Sequence, residues 1–210
     1  MKSYQIATLI GVIAISGFTG VSVMSGSILD NLTNTQSNTN EATSVSGHVI
    51  ATVTAPDGTI KAYSQGDNIV VNQAKNCAPV LLFGATSPSG CNSAATPATY
   101  NFIELTTSTS TPTDYSITAC PATVIATSGL TRAQGTATVT TQSTGATTSN
   151  SVTDITHTFT AGGAATVGGA CLLDKASGGE LFASKAFGSS VALVTNDQLT
   201  VDWQITMSSP

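Results

Sequence analysis

From Leu199 to Met207 the chain alternates without a break. Leu199, Val201, Trp203, Ile205 and Met207 are apolar, and Thr200, Asp202, Gln204 and Thr206 between them are polar. A period of two places each set on its own face of an extended strand, whereas a helix would scatter the five apolar side chains around its circumference. The stretch predicts a half-buried antiparallel strand, which commits the chain to a sheet with one face on a core.

The same kind of signal recurs upstream. His48–Thr54 and Ile60–Tyr63 are β-branched runs separated by Ala55-Pro56-Asp57-Gly58-Thr59. Pro fixes φ and Gly accepts a positive φ, so this is a hairpin turn with a mechanism. Further strands are expected at Tyr100–Leu105, Thr136–Thr141 and Val152–Ala161, with Ile155, His157, Phe159 and Ala161 on one face of the last. A short strand around Val167 is expected between Gly162-Gly163 and Gly168-Gly169, the paired glycines reading as turns or bulges. The run Pro79–Gly84 fits either a short helix or a buried strand, and no amphipathic helix is expected after residue 46. Thr107–Thr111 reads as an exposed loop. Strand signals about every ten residues predict an all-β fold, an antiparallel β-sandwich or jelly-roll-like domain, preceded by one N-terminal hydrophobic helix.

The solvent faces of such strands need polar groups, and here hydroxyls supply them. The chain has 36 Thr and 25 Ser, while charged residues make up 8%, against roughly 25% in a typical soluble protein. Six Lys+Arg cannot clothe a helical bundle. A net charge of -5 and a pI near 4.6 repel phosphate, so no nucleic-acid partner is expected. Low charge with a mean hydropathy of +0.21 also excludes highly charged disorder.

Between Lys2 and Asp30 there is no charge, and Ile6–Ile15 is strongly apolar. As a helix, 6–29 would reach about 36 Å, enough for a bilayer core. Residues 1–29 therefore read as a membrane anchor, a packing helix or a signal peptide. Gly11, Ser16 and Gly20 would allow close helix contact, and Ser25-Gly26-Ser27 is a tolerable cleavage site. The membrane is the partner expected for residues 6–29, with residues 30–210 outside the cytoplasm, anchored or secreted. Residues 30–46, rich in Asn, Thr and Ser, read as a stalk, with one sequon at Asn31; residues 47–210 read as the extracytoplasmic β domain. Cys77, Cys91, Cys120 and Cys171 fit that compartment as two disulfides. Three connectivities are open, of which Cys77–Cys91 with Cys120–Cys171 is favoured.

The candidates for chemistry are few. His48 is expected to be exposed and His157 to be a packed, hydrogen-bonded core residue. No Gly-x-Ser-x-Gly elbow accompanies them. Glu104 and Glu180 are the only glutamates after the stalk, and one Trp is a thin platform for sugar. Asp57, Asp67, Asp114, Asp174 and Asp197 fall in expected turns, but no D-x-D-x-D-G loop organises them for calcium. They read as turn formers before they read as ligands. No catalytic, cofactor-binding or metal-binding residue is assigned, no small-molecule ligand is identified, and the chain is expected not to be an enzyme.

Two stretches carry a resemblance. Gly58–Asn68, followed by Val71-Asn72 and Cys77, resembles the start of small secreted or surface proteins of archaea. Gly169–Asp174, Ser177–Ala183, Phe187 and Asp197–Trp203 resemble β-rich structural proteins of tailed viruses and proviruses. Together they cover about a third of the chain and rest on turn glycines and strand alternation; Cys171 and Lys185 depart from the pattern. The resemblance implies a structural role on a surface or particle and carries over no catalytic residue. The expected function is that of a self-associating structural protein of a cell surface or filament. The alternatives are a virion or provirus structural protein and a secreted carbohydrate- or calcium-binding module.

Overall fold

The computed structural model describes residues 44–83, 99–121, 124–141 and 150–208. The expected helix at 1–29, the sequon, the stalk as far as residue 43 and Cys91 lie outside the described residues. Among the described residues no helix is long and apolar enough to cross a membrane.

Among the described residues ten strands form two antiparallel sheets. In chain order they are β1 (Ser44–Thr54), β2 (Ile60–Asp67), β3 (Ile69–Val70), β4 (Phe102–Thr106), β5 (Ala133–Gln134), β6 (Thr136–Thr141), β7 (Asn150–Thr160), β8 (Ala165–Leu173), β9 (Leu181–Leu193) and β10 (Gln198–Ser208). A helix, α1 (Asn72–Phe83), follows β3. The first sheet runs β2-β1-β10-β7-β6 and the second β3-β9-β8-β4-β5.

The alternation of β10 is realised in the first sheet. Leu199, Val201, Trp203 and Ile205 are buried, and Val49 of β1 lies opposite Trp203. Met207 lies beyond the core at 46% exposure. The hairpin closes as expected. Ala55 N–H donates to the Thr59 carbonyl at 2.8 Å, Gly58 takes a φ of +87°, and Asp57 Oδ1 accepts from Thr59 N–H and Oγ1. Val49, Trp203, Phe159 and Leu199 share one hydrophobic cluster with Ile103, Leu172 and Leu193 of the second sheet. The two sheets thus bury their apolar faces against a common core, the main stabilising term in such a fold.

The second sheet is covered on its other face as well. Cys171 and Leu173 of β8 join Val70, Val71, Ala74 and Leu181 in a second cluster, with Ile117 and Cys120 packed against it. This is why β8 is buried without interruption from Val167 to Leu173 and does not alternate.

Four expectations are corrected. β1 starts at Ser44, ahead of the strand expected from His48. The strand expected from Tyr100 begins at Phe102. The short strand around Val167 is one nine-residue strand with a register shift between Val167 and Gly169. The run Pro79–Phe83, open to helix or strand, is the second half of helix α1, which begins at Asn72 where no helix was expected; its Ala74 and Cys77 are each 3% exposed and face inward at helical spacing.

Candidate functional site

A cleft of about 520 Å³ opens where β1 starts and β10 finishes, bounded by the β2–β3 corner, α1 and the loop that carries Tyr115. Strand register builds its first wall. Ser46 lies opposite Thr206, and His48 opposite Asp67, so His48 Nδ1 meets Asp67 Oδ1 at 2.9 Å. Asp67 is otherwise open, its side chain 92% exposed against 34% for His48. Asn68 follows, its N–H donating to the Gly47 carbonyl at 3.0 Å. A Cβ on Gly47 would stand 2.1 Å from Asn68 Oδ1, so the position of the amide requires glycine there. Asn68 Oδ1 and Nδ2 are both buried without a hydrogen-bond partner, a costly arrangement for an amide.

The opposite wall is held just as firmly. Asp114 Oδ1 accepts the Ser116 N–H at 2.7 Å, and the Tyr115 carbonyl accepts the N–H of Asn72, the first residue of α1, at 2.8 Å. Those Ser116 hydrogen bonds, from backbone first and side chain second, hold the Asp114 carboxyl below its usual range. One turn into α1, Lys75 places Nζ 4.9 Å from the Tyr115 ring centroid, within cation–π range. The cleft thus sets a carboxylate, an imidazole, an ammonium, a carboxamide and hydroxyls around an aromatic ring. It can both donate to and accept from a polar ligand.

The titratable residues singled out in the sequence are mostly dispersed. His157 is half-buried and meets the Phe159 ring edge-on at 4.6 Å. His48, expected to be exposed, is half-buried and paired. Asp197, at 1% exposure, binds Lys61 Nζ and accepts the Val194 N–H at 2.9 Å. Asp174 is buried and accepts the Glu180 N–H at 2.6 Å. No three His, Cys, Asp or Glu side chains gather among the described residues. Cys120 and Cys171 are disulfide-bonded, tying the loop after β4 to the outer face of β8. Cys77 on α1 is disulfide-bonded too.

Sheet edges form a second kind of site. In the second sheet both edges, β3 and β5, are two residues long. At the β2 edge of the first sheet stand Lys61, ion-paired with Asp197, and Asp67, in contact with His48 Nδ1, and the Ser64 hydroxyl donates to the Phe187 carbonyl of β9 at 2.9 Å. The remaining edge, β6, is Thr-Ala-Thr-Val-Thr-Thr, without a charge and exposed from Thr136 to Thr140. Ala137 and Val139 lie opposite Ile155 and Thr153, on the core side of the sheet, yet Val139 is 50% exposed. A register shift after Val139 leaves Thr136–Val139 as the regular part of this edge.

No protein-family model, no curated protein and no solved structure matches the chain.

Proposed function

We propose that the chain is a non-enzymatic structural protein of a cell surface or filament. Residues 6–29 serve as membrane anchor or packing helix, and a β-sandwich domain outside the cell associates with its neighbours edge to edge. The observation that carries this reading is the contrast between β6 and the other three edges. Natural sheets protect edges with short strands, charges or covering segments. Among the described residues β3 and β5 have the first device and β2 the second, in Lys61 and Asp67, while β6 carries no charge and has only a terminal bulge.

Pairing β6 with a strand of a second copy satisfies its free backbone groups and takes Val139 out of water. The low charge of the surface, hydroxyls replacing Lys and Glu, leaves little repulsion between copies. Disulfides on Cys77 and between Cys120 and Cys171 suit an oxidising exterior. The segments between Gly169 and Trp203 that resemble structural proteins of tailed viruses and proviruses favour a virion or provirus structural protein, tail or capsid-associated, as a second reading, with the same assembly physics.

Electron microscopy of the purified full chain tests the proposal. Ordered arrays or filaments are expected. A monodisperse monomer at every concentration overturns it.

A further inference from the structure

We propose that the cleft between β1, the β2–β3 corner, α1 and Tyr115 binds a neutral saccharide. This goes beyond the assembly reading and does not depend on it, because the cleft and β6 are separate surfaces. At about 520 Å³ the cleft lies within the range of small-ligand sites. Its chemistry narrows the ligand. A simple anion calls for donors alone, but the exposed carboxylate of Asp67 sits in the wall. A simple cation calls for acceptors alone, but Lys75 stands at the other side. An apolar ligand would strand Asp67, Lys75 and the hydroxyls of Ser46 and Thr206 without partners.

A polyhydroxylated ring answers all of these groups, because each hydroxyl both donates and accepts. Asp67 takes hydroxyl protons, and Lys75 donates to ring or hydroxyl oxygens. The Asn68 carboxamide is buried behind the cleft wall with neither polar atom hydrogen-bonded, and it shapes the wall without facing the ligand. Tyr115, 52% exposed on a loop pinned to α1, supplies the flat face against which the C–H side of a sugar packs. The His48 contact fixes the Asp67 carboxylate, and Gly47 leaves room for the Asn68 amide. His48 is thus a positioning residue for Asp67, one of three groups, with Lys75 and Tyr115, that touch the ligand.

Isothermal titration of the full, disulfide-intact chain with maltotriose, mannotriose, diacetylchitobiose and trigalacturonate tests the proposal. At least one of the three neutral saccharides binds, and more tightly than the anionic trigalacturonate. Asp67→Ala and Tyr115→Ala each weaken that binding about tenfold or more, while fluorescence of the buried Trp203 reports that both variants are folded. Val139→Lys, on the separate edge, leaves the affinity unchanged whether or not it alters assembly. Failure of all three neutral saccharides to bind overturns the proposal. So does preferential binding of trigalacturonate, or an affinity unmoved by both cleft substitutions.

Discussion

Arg132 holds Glu104 at two points: Nε donates to Oε1 at 3.1 Å and Nη2 to Oε2 at 2.8 Å. Its Nη1 donates to the carbonyls of Lys175 and Gly178 in the turn between β8 and β9. One guanidinium thus joins β4, the entry to β5 and the β8–β9 turn. Glu104 is 5% exposed, and removing its counter-charge leaves a buried carboxylate unpaired. Arg132→Ala is expected to cost about 3 kcal/mol, and Arg132→Met with Glu104→Gln to recover most of that loss. Urea unfolding followed by the single, fully buried Trp203 measures both.

The Cys120–Cys171 bond spans 51 positions of the chain. Closing a loop of that size restricts the unfolded chain by about 4 kcal/mol in the loop-entropy account. The double variant Cys120→Ser, Cys171→Ala is expected to lower the urea midpoint with little change in far-UV circular dichroism of the native state. An unchanged midpoint contradicts this.

Acid sensitivity has two opposing sources. Asp197, through Lys61 first and the Val194 N–H next, and Asp57, through the Thr59 hydrogen bonds, are held below the usual carboxylate range. As pH falls the unfolded chain takes up these protons first. The stability they contribute is therefore present above about pH 4 and lost as pH drops through the folded values. Asp202 runs the other way, raised mainly by burial and further by Asp154 despite the hydrogen bond from Thr156. Its folded form keeps the proton longer, so it weakens the fold as pH rises through that raised value. Asp202→Asn is expected to stabilise by about 0.5 kcal/mol at pH 7, the advantage vanishing below about pH 4. Parallel urea titrations of the two proteins across that range check the sign.

Strand β10 and the β1–β2 hairpin were legible because their signals are local: period-two alternation in one, Pro56-Asp57-Gly58 chemistry in the other. Helix α1 was legible only in its second half, as one of two readings of Pro79–Gly84. Its inward side chains are as small as Ala74, and Pro79 within it has no N–H to give, so packing on the second sheet outweighs propensity. The continuity of β8 was hidden for a related reason: Gly168-Gly169 look like a break until β9 is seen passing alongside. The cleft draws Ser46, Asp67, Lys75, Tyr115 and Thr206 from across the domain; strand register aligns Ser46, Asp67 and Thr206, and the Asn72–Tyr115 backbone bond holds the loop against α1. The His48–Asp67 pairing was not readable from the hairpin alone, because the register shift beside Thr54 moves His48 one residue along β2, from Gly66 to Asp67. The Arg132–Glu104 contact had no local signature at all.

Assembly through β6 is the central claim, and sedimentation velocity of the full chain beside Val139→Lys tests it most directly. Lysine on an edge strand is a natural guard against pairing, and Val139 is exposed enough for the substitution to leave the fold intact. The wild-type sedimentation coefficient is expected to rise with concentration, and the Val139→Lys protein to stay at its smallest species over the same series. A wild-type chain that remains a single monomeric species throughout, or assembly that survives Val139→Lys unchanged, contradicts the account.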